Sequence, residues 1–276
     1  MANNLVYIIL DSCRYDSFLS ANASNILSLG KLSRRFTYAS WTSPSHHTIL
    51  MGLLPHESPR NVFASEVYKN EFSKWVERLD IPNLSFKSFV PYLSLPRMLK
   101  DNGYRTVARV SMPVLNKFTP ASQHFDDYEL MSNHNDFQGM IDIVDFDNES
   151  PTFYFFNLGE THYPYMLTDE TLPHISGVHG VFKAMDDFML TNRSETNNGS
   201  SFFEDQQMKF LHEQQSLCVN HVDSLMDSLF SKCPSNTYFI VSADHGELFG
   251  EDGYFGHGPI MHKKCFEVPL VEGMCP

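Results

Sequence analysis

The run Thr237-Tyr-Phe-Ile-Val241-Ser-Ala-Asp244-His245-Gly246-Glu247 sets the type of fold that this chain adopts. Its first half is short, apolar and rich in aromatic and β-branched residues, a pattern that predicts a buried β-strand. Asp244 and His245 follow this strand directly, and ligands of open α/β sheets bind beyond the carboxyl ends of the strands. A carboxylate and an imidazole at that place can hold a divalent cation. Taken alone, Asp-His-Gly is equally consistent with a simple turn.

A second strand near the N-terminus ends in the same way. Residues 5–10 are continuously apolar, as in a central parallel strand that is covered on both faces, and Asp11 follows them. A lone aspartate at a strand end is more often a helix cap or a turn residue. Two carboxylates at two strand ends nevertheless favour one shared site.

Strand and helix patterns alternate along the rest of the chain. The further strand patterns cover residues 104–110 and 152–157, and the helix patterns cover residues 25–32, 93–102 and 202–230. This order favours an α/β fold with a mostly parallel central sheet and helices on both faces. Segments 57–88 and 112–147 show no clean period, and we expect them to shape the substrate side. Residues 191–201 are rich in Asn, Ser, Thr and Gly and predict a flexible loop.

Composition restricts the partners of the protein. The 276 residues include 33 acidic and 20 basic side chains, for a formal net charge of −13. Such a surface repels polyanions, so we expect no nucleic acid polymer as a partner. An anionic substrate would need local positive charge, which a bound metal ion can supply.

Cysteine usage and the N-terminus indicate the compartment. An odd number of five cysteines, with no CxxC spacing, predicts free thiols in a reducing environment. The N-terminal apolar run is too short for a membrane span and lacks a basic flank. We therefore expect a cytoplasmic protein without a membrane anchor, and the oligomeric state stays open.

The segment Thr42-Ser43-Pro44-Ser45-His46 begins a short helix pattern. Ser43 is a favourable N-cap, and proline suits the first helical position. Thr42 then lies at a helix N-terminus, where unpaired N–H groups and the helix dipole favour an anion. A hydroxyl held there beside a cation can ionise and attack an electrophile. The alternative is that the hydroxyl residues only cap the helix.

Four segments carry a resemblance to a known family. They are the strand that ends at Asp11 with Arg14 and Asp16, Thr42-Ser-Pro-Ser-His46 with Gly52 and Pro55, residues 99–107 with Asn-Gly-Tyr-Arg-Thr, and Asp244-His245-Gly246-Glu247 through Gly256-His257-Gly258 to Val268-Pro-Leu270. Together they resemble the sulfatase and phosphoesterase branch of the alkaline phosphatase superfamily. His162, which also follows a predicted strand, resembles the substrate-pocket histidine of this family. The resemblance implies an alkaline phosphatase-like fold in a single catalytic domain over residues 1–276, with the C-terminal subdomain missing or minimal.

Departures from the sulfatase pattern decide the subclass. Sulfatases carry a cysteine or serine, converted to formylglycine, in a Cys-x-Pro-x-Arg motif. Here Thr42 stands at the nucleophile position, where it cannot become formylglycine, and His46 replaces the arginine. Threonine at this position is similar to nucleotide pyrophosphatase/phosphodiesterases, phosphoethanolamine transferases and lipoteichoic acid synthases. The set Asp11, Thr42, Asp244 and His245 resembles the one-metal site of the last group.

The resemblance implies a metal-dependent enzyme that hydrolyses or transfers phosphate mono- or diesters through a covalent intermediate on Thr42. Mn²⁺ or Zn²⁺ suits the site better than Mg²⁺ or Ca²⁺, because His245 is among the ligands. His162 or His257 would stabilise the equatorial oxygens or protonate the leaving group.

Further substrate contacts and two other functions complete the expectations. The additional residues expected to contact the small-molecule ester are His46, His47, Lys263 and Lys264. A second cation, held by His162, His257 and Glu160, is the less favoured alternative to a single ion. The function could instead be that of a sulfate-ester hydrolase without formylglycine, or of a catalytically silent binding protein with the same fold.

Overall fold

A computed structural model describes residues 2–85, 87, 92–146, 149–165 and 205–276, together with the strand backbone of Phe182–Lys183. The described strands are β1 (Asn4–Leu10), β2 (Ser33–Phe36), β3 (Arg105–Val110), β4 (Asp127–Leu130), β5 (Thr152–Leu158), β6 (Phe182–Lys183), β7 (Thr237–Ser242), β8 (Leu248–Phe249), β9 (Tyr254–Gly256) and β10 (Glu267–Met274). The described α-helices are α1 (Tyr15–Ser20), α2 (Ser24–Ser28), α3 (Thr42–Leu50), α4 (Ala64–Leu79), α5 (Leu95–Asp101), α6 (Phe137–Asp142), α7 (Asp205–Lys232) and α8 (Lys263–Phe266).

A seven-stranded sheet with the order β2-β10-β7-β1-β5-β3-β4 forms the centre of the fold. Strands β7, β1, β5, β3 and β4 are parallel, whereas β10, near one edge, is antiparallel to both of its neighbours, β7 and β2. The apolar pattern predicted this because a strand flanked by parallel neighbours is covered on both faces and has no polar side. The predicted mostly parallel sheet is confirmed.

Helices cover both faces of β1. Val6 and Ile8 belong to one apolar cluster, which also contains residues of α1, α2, α6 and α7. Tyr7 and Ile9, which point to the opposite face, belong to a second cluster with residues of α3, α4 and α5. Since successive side chains of a strand alternate between the two faces, every residue of β1 is buried.

The register of the parallel strands brings three chain segments to one edge of the sheet. Leu10 of β1 pairs with Leu158 of β5, and Ile9 pairs with Ser242 of β7. The residues that follow these three strands therefore meet at the carboxyl edge, as the strand-end carboxylates predicted.

Helix α7 packs on the sheet and also fixes two loops at this edge. The predicted helix over 202–230 is confirmed from Asp205 onward, and residues 202–204 lie outside the described residues. Gln215 is fully buried and its amide nitrogen donates to the carbonyls of Ser12 and Thr161, at 3.0 Å each. Its amide oxygen accepts from the N–H of Arg14 at 3.2 Å. The helix thereby ties the loop after β1 to the loop after β5.

The absence of a helix pattern in residues 57–88 was a wrong prediction, because this segment contains α4. Phe72, Trp75 and Leu79 form its buried face, but Arg78 is buried between them, which obscures the apolar period. Arg78 is accommodated by a two-pronged ion pair with Glu272, with nitrogen–oxygen distances of 2.7 and 3.2 Å.

Other differences from the expected elements are local. Segment 112–147 contains β4 and α6 rather than only irregular chain, and the pattern over 25–32 is helical only in α2. The predicted flexible loop over 191–201 lies outside the described residues. Across the part of the chain that the structure describes, none of the helices has both the length and the apolar character that a bilayer crossing requires.

Candidate active site

Two carboxylates and two histidines meet beyond the ends of β1 and β7. Asp11, His46 and Asp244 each offer a ligand atom within 4.8 Å of the others, and all three side chains are buried. His245 is also fully buried, and its Nε2 lies 3.3 Å from Asp244 Oδ2 and 3.9 Å from Asp11 Oδ1. Thr42 Oγ1 lies 3.2 Å from the same Nε2 atom. The structure therefore brings together the four residues that the sequence proposes as metal ligands.

One oxygen in this group has no hydrogen-bond donor. Asp244 Oδ1 accepts from the backbone N–H groups of Ser12 and His245, at 3.1 and 2.9 Å. Asp244 Oδ2 is buried and unsatisfied, and faces His46 Nδ1 at 3.4 Å and His245 Nε2 at 3.3 Å. An unsatisfied buried carboxylate oxygen is costly. A cation bound here would remove that cost, so the residues fit a metal ion.

The hydrogen-bond partners assign a tautomer to each histidine. His245 Nδ1 donates to the carbonyl of Gly246 at 2.9 Å, which leaves the Nε2 lone pair directed at Thr42 and the carboxylates. His46 Nδ1 donates to the carbonyl of Thr42 at 2.9 Å, and its Nε2 accepts from Asn157 Nδ2 at 3.3 Å. Both nitrogens of His46 are thus engaged. His245 is therefore the better metal ligand, and His46 supports the backbone of Thr42.

Burial controls the protonation of these groups. Burial, and then the nearby charge of Asp11, raise the pKa of Asp244 well above its ordinary value. Burial lowers the pKa values of His46, His162 and His245, so all three imidazoles are neutral near pH 7. Neutral imidazole is the form that binds metal, and a cation would relieve the repulsion between the two carboxylates.

Thr42 is the first residue of α3, and Trp41 occupies the N-cap position without a side-chain capping bond. The sequence placed the cap at Ser43, so the helix begins earlier than predicted. Within the first turn, the Ser45 hydroxyl donates to the Asp244 carbonyl at 2.5 Å. This contact ties α3 to the loop after β7 and holds Thr42, which is nearly buried, beside His245.

Thr42 opens into a pocket of about 220 Å³. The described residues that line it are Trp41, Thr42, Ser43, Met112, Val114, His162, His257, Gly258 and Pro259. The rings of His162 and His257 are 5.1 Å apart. His162 Nδ1 donates to the Tyr163 carbonyl at 2.6 Å, and His257 Nδ1 donates to Glu247 Oε1 at 3.1 Å. The Nε2 atom of each ring therefore remains available to a substrate.

Four residues that the sequence proposes as substrate contacts are not among the described residues that line the pocket: His46, His47, Lys263 and Lys264. Lys264 pairs with Asp16 at 2.6 Å, and Lys263 pairs with Glu267 at 3.2 Å. Both lysines thus have carboxylate partners on the protein itself, and a contact of these four residues with substrate stays a prediction.

The alternative of a second cation finds no matching group among the described residues. Among the described residues, one carboxylate–histidine group has its ligand atoms within 4.8 Å of one another, and it consists of Asp11, His46 and Asp244. Glu160 instead accepts the N–H of Phe137 at the start of α6, at 2.8 Å.

Asn157 and Glu247 were missed as site residues. Asn157 Nδ2 donates to Asp11 Oδ2 at 2.8 Å, while its Oδ1 accepts from the N–H groups of Ser111 and Met112, at 3.2 Å each. Glu247 orients His257, as described above, and also accepts the hydroxyl of Tyr165. The signal for Asn157 was available, because it ends a buried strand just before the chain turns, as Asp11 and Asp244 do.

Comparisons with known proteins agree with the family resemblance of the sequence motifs. A family model described as Sulfatase matches residues 3–271. The periplasmic domain of EptC from Escherichia coli, solved in complex with Zn, has a TM-score of 0.58 at 14% identity, over 99% of this chain and 73% of that chain. The corresponding domain of the phosphoethanolamine transferase EptC from Campylobacter jejuni has a TM-score of 0.53 at 11% identity, over 99% and 79%.

A third similar structure is that of BT4656 in complex with its substrate D-glucosamine-2-N,6-O-disulfate. It has a TM-score of 0.57 at 13% identity, over 99% of this chain and 71% of that chain. At such identities these similarities show the fold alone. No curated protein sequence matches the chain.

Proposed function

Because the chain belongs to the sulfatase family, within the alkaline phosphatase superfamily that its sequence resembles, we propose that it hydrolyses or transfers phosphate mono- or diesters with Thr42 as nucleophile. One observation carries the proposal: the unsatisfied Asp244 Oδ2 lies 3.3 Å from His245 Nε2, and this Nε2 accepts from the Thr42 hydroxyl at 3.2 Å. A buried carboxylate oxygen without a donor, beside an imidazole lone pair and a hydroxyl at a helix N-terminus, supports a cation site next to that hydroxyl.

Asp11, Thr42, Asp244 and His245 would hold the metal ion. Mixed oxygen and imidazole ligands suit Zn²⁺ or Mn²⁺ better than Mg²⁺ or Ca²⁺, and EptC from Escherichia coli was solved in complex with Zn. When bound, such an ion lowers the pKa of a coordinated hydroxyl and offsets negative charge on the ester.

The residues of the chain supply the remaining chemistry. Thr42 Oγ1 bonds to the phosphorus, the alcohol departs, and water or an acceptor alcohol then releases the phosphoryl group from Thr42. The N–H groups in the first turn of α3 favour the anionic ester. Glu247 fixes the ring of His257, which is the candidate donor of a proton to the leaving alcohol when both of its ring nitrogens are protonated. His162 could donate to the equatorial oxygens only in its protonated form, because in the neutral ring the proton is on Nδ1 and Nε2 is an acceptor.

A sulfate-ester hydrolase is the second candidate. The family match and the similarity to BT4656, which was solved with a disulfated sugar, both support it. Thr42 favours a phosphate ester over a sulfate ester as the substrate, because threonine cannot be converted to formylglycine.

The test is a parallel assay of an aryl phosphate, an aryl phosphodiester and an aryl sulfate with metal-depleted protein, before and after addition of Zn²⁺ or Mn²⁺. We expect metal-dependent cleavage of a phosphate ester and formation of a phosphorylated protein that intact mass spectrometry detects. Thr42→Ala should remove turnover while metal content stays measurable, and Thr42→Ser, which keeps the hydroxyl, should retain part of the activity. Full activity of Thr42→Ala would eliminate the covalent route.

A further inference from the structure

The candidate pocket has two chemically different halves. Thr42, Ser43, His162 and His257 form the reacting end. The remaining wall is apolar and is formed by Trp41, Met112, Val114 and Pro259, with the backbone of Gly258. None of the described lining residues is a lysine, arginine, aspartate or glutamate. In the part of the chain that the structure describes, the wall beside the reacting end therefore offers apolar area and no charged side chain.

Two described basic side chains near the site, Arg14 and Lys264, are paired with protein carboxylates. Arg14 is buried between Asp16 and Glu251, with nitrogen–oxygen distances of 2.6 and 2.5 Å. Lys264 shares Asp16 with it, at 2.6 Å. With a formal charge of −13 on the whole chain, an alcohol portion with additional negative charge would meet repulsion and no described counter-charge.

Two side chains of the apolar wall are exposed to solvent. Trp41 is 40% exposed and Val114 is 53% exposed, and both sit directly beside the reacting end. A ligand that covers these side chains gains the free energy of removing them from water. Trp41 also offers an aromatic face on which a planar group can stack.

The pocket has room for one ring beside the transferred group. An apolar protein cavity of roughly 150 Å³ is large enough for benzene. The pocket among the described residues has about 220 Å³, which holds the transferred group together with about one ring or a short alkyl chain.

We propose that the substrate is an ester of an uncharged, apolar alcohol about the size of one aromatic ring, and that Trp41 and Val114 determine this preference. The inference rests on the proposed function for the transferred group. It adds the chemical class of the alcohol, which the family match does not specify and which differs from the sugar of the BT4656 complex.

The test compares two esters of primary alcohols, so that the bond that breaks is matched. With the full, metal-loaded chain we expect kcat/KM for benzyl phosphate to exceed that for glucose 6-phosphate by roughly 10- to 100-fold, the range for burying one apolar side-chain equivalent. Equal values, or a preference for the sugar ester, would overturn the inference.

Binding separates this inference from the proposed function. Benzylphosphonate and the phosphonate analogue of glucose 6-phosphate cannot be cleaved, and calorimetry measures their affinity whether or not the protein turns over an ester. Tighter binding of benzylphosphonate without cleavage of benzyl phosphate would support the apolar preference and refute the esterase function. Equal binding of the two phosphonates, with benzyl phosphate cleaved, would refute the preference alone.

Two variants assign the preference to its residues. Val114→Ser and Trp41→Ser should each weaken benzylphosphonate binding by roughly 3- to 10-fold, with less than a twofold change in the affinity for inorganic phosphate. Serine is a favoured N-cap, so Trp41→Ser keeps the start of α3 intact. The matched control is Phe63→Ser, which removes an aromatic residue that is 79% exposed and outside the described lining, and should leave both affinities unchanged. An equal loss of phosphate binding in both variants would show that the two side chains position Thr42 and would overturn their role in selectivity.

Discussion

Glu160 offers a test of the electrostatics around the site that needs no substrate. It follows β5, is 3% exposed, and accepts the N–H of Phe137 through Oε1 at 2.8 Å, while its Oε2 is buried without a partner. Burial raises the pKa of this carboxyl from an ordinary value of 4.5 to about 7. We predict that Glu160→Gln stabilises the protein at alkaline pH, because glutamine keeps an oxygen that accepts from Phe137 and cannot ionise.

The sign and size of the effect follow from the pKa difference. A carboxyl whose pKa is higher in the folded state is neutral in both states below pH 4.5, and its ionisation favours unfolding as the pH rises through about 7. At pH 8 the difference between 4.5 and about 7 corresponds to roughly 3 kcal/mol, and at pH 5 to less than about 1 kcal/mol. The difference in free energy of unfolding between Glu160→Gln and wild type should therefore increase by roughly 2 kcal/mol from pH 5 to pH 8.

Urea unfolding of metal-depleted protein at pH 5, 6, 7 and 8 measures this gap. The matched control is Glu213→Gln, which removes an exposed acid of α7 and should change the free energy of unfolding by less than about 0.5 kcal/mol at every pH. The reasoning would be refuted if the difference in free energy of unfolding between Glu160→Gln and wild type did not depend on pH. It would also be refuted if the variant became less stable relative to wild type between pH 5 and pH 8.

Three further predictions concern the metal ion and a distant ion pair. Chelation should abolish ester cleavage, and Zn²⁺ or Mn²⁺ should restore it better than Ca²⁺; full activity in the chelated protein, checked by elemental analysis, would contradict a metal-dependent reaction. Asn157→Ala should weaken metal binding by roughly 10- to 100-fold, because Asn157 orients Asp11 through a 2.8 Å hydrogen bond. Competition with a chromogenic chelator measures this affinity. An unchanged affinity would show that Asn157 does not support the metal site. Burial raises the pKa of Glu272, but its ion pair with Arg78 outweighs burial and holds that pKa below the usual range. The stability from this pair is present above the ordinary carboxyl pKa and is lost as the pH falls, so Glu272→Gln should destabilise the protein by roughly 3 kcal/mol at pH 7 and by much less at pH 3, as urea unfolding at the two values would show.

The sequence alone determined the class of fold and the ends of the strands that carry the site. Buried parallel strands are apolar along their whole length, so β1, β5 and β7 were visible as short apolar runs, each followed by a polar side chain. The family motifs then predicted Thr42 as the nucleophile, and the structure places it beside His245.

Tertiary structure decided which of the nearby polar residues face the site, because hydrogen bonds and ion pairs join residues that are distant in sequence. Lys264 and His46 were both predicted from their sequence positions as substrate contacts. In the structure Asp16 pairs with Lys264, and Thr42 and Asn157 lie at the two ring nitrogens of His46. For the same reason α4 was missed, since Arg78 could be buried only because Glu272 reaches it from β10. Local periodicity reports the burial of apolar side chains, whereas the partner of a buried polar side chain is set by the fold as a whole.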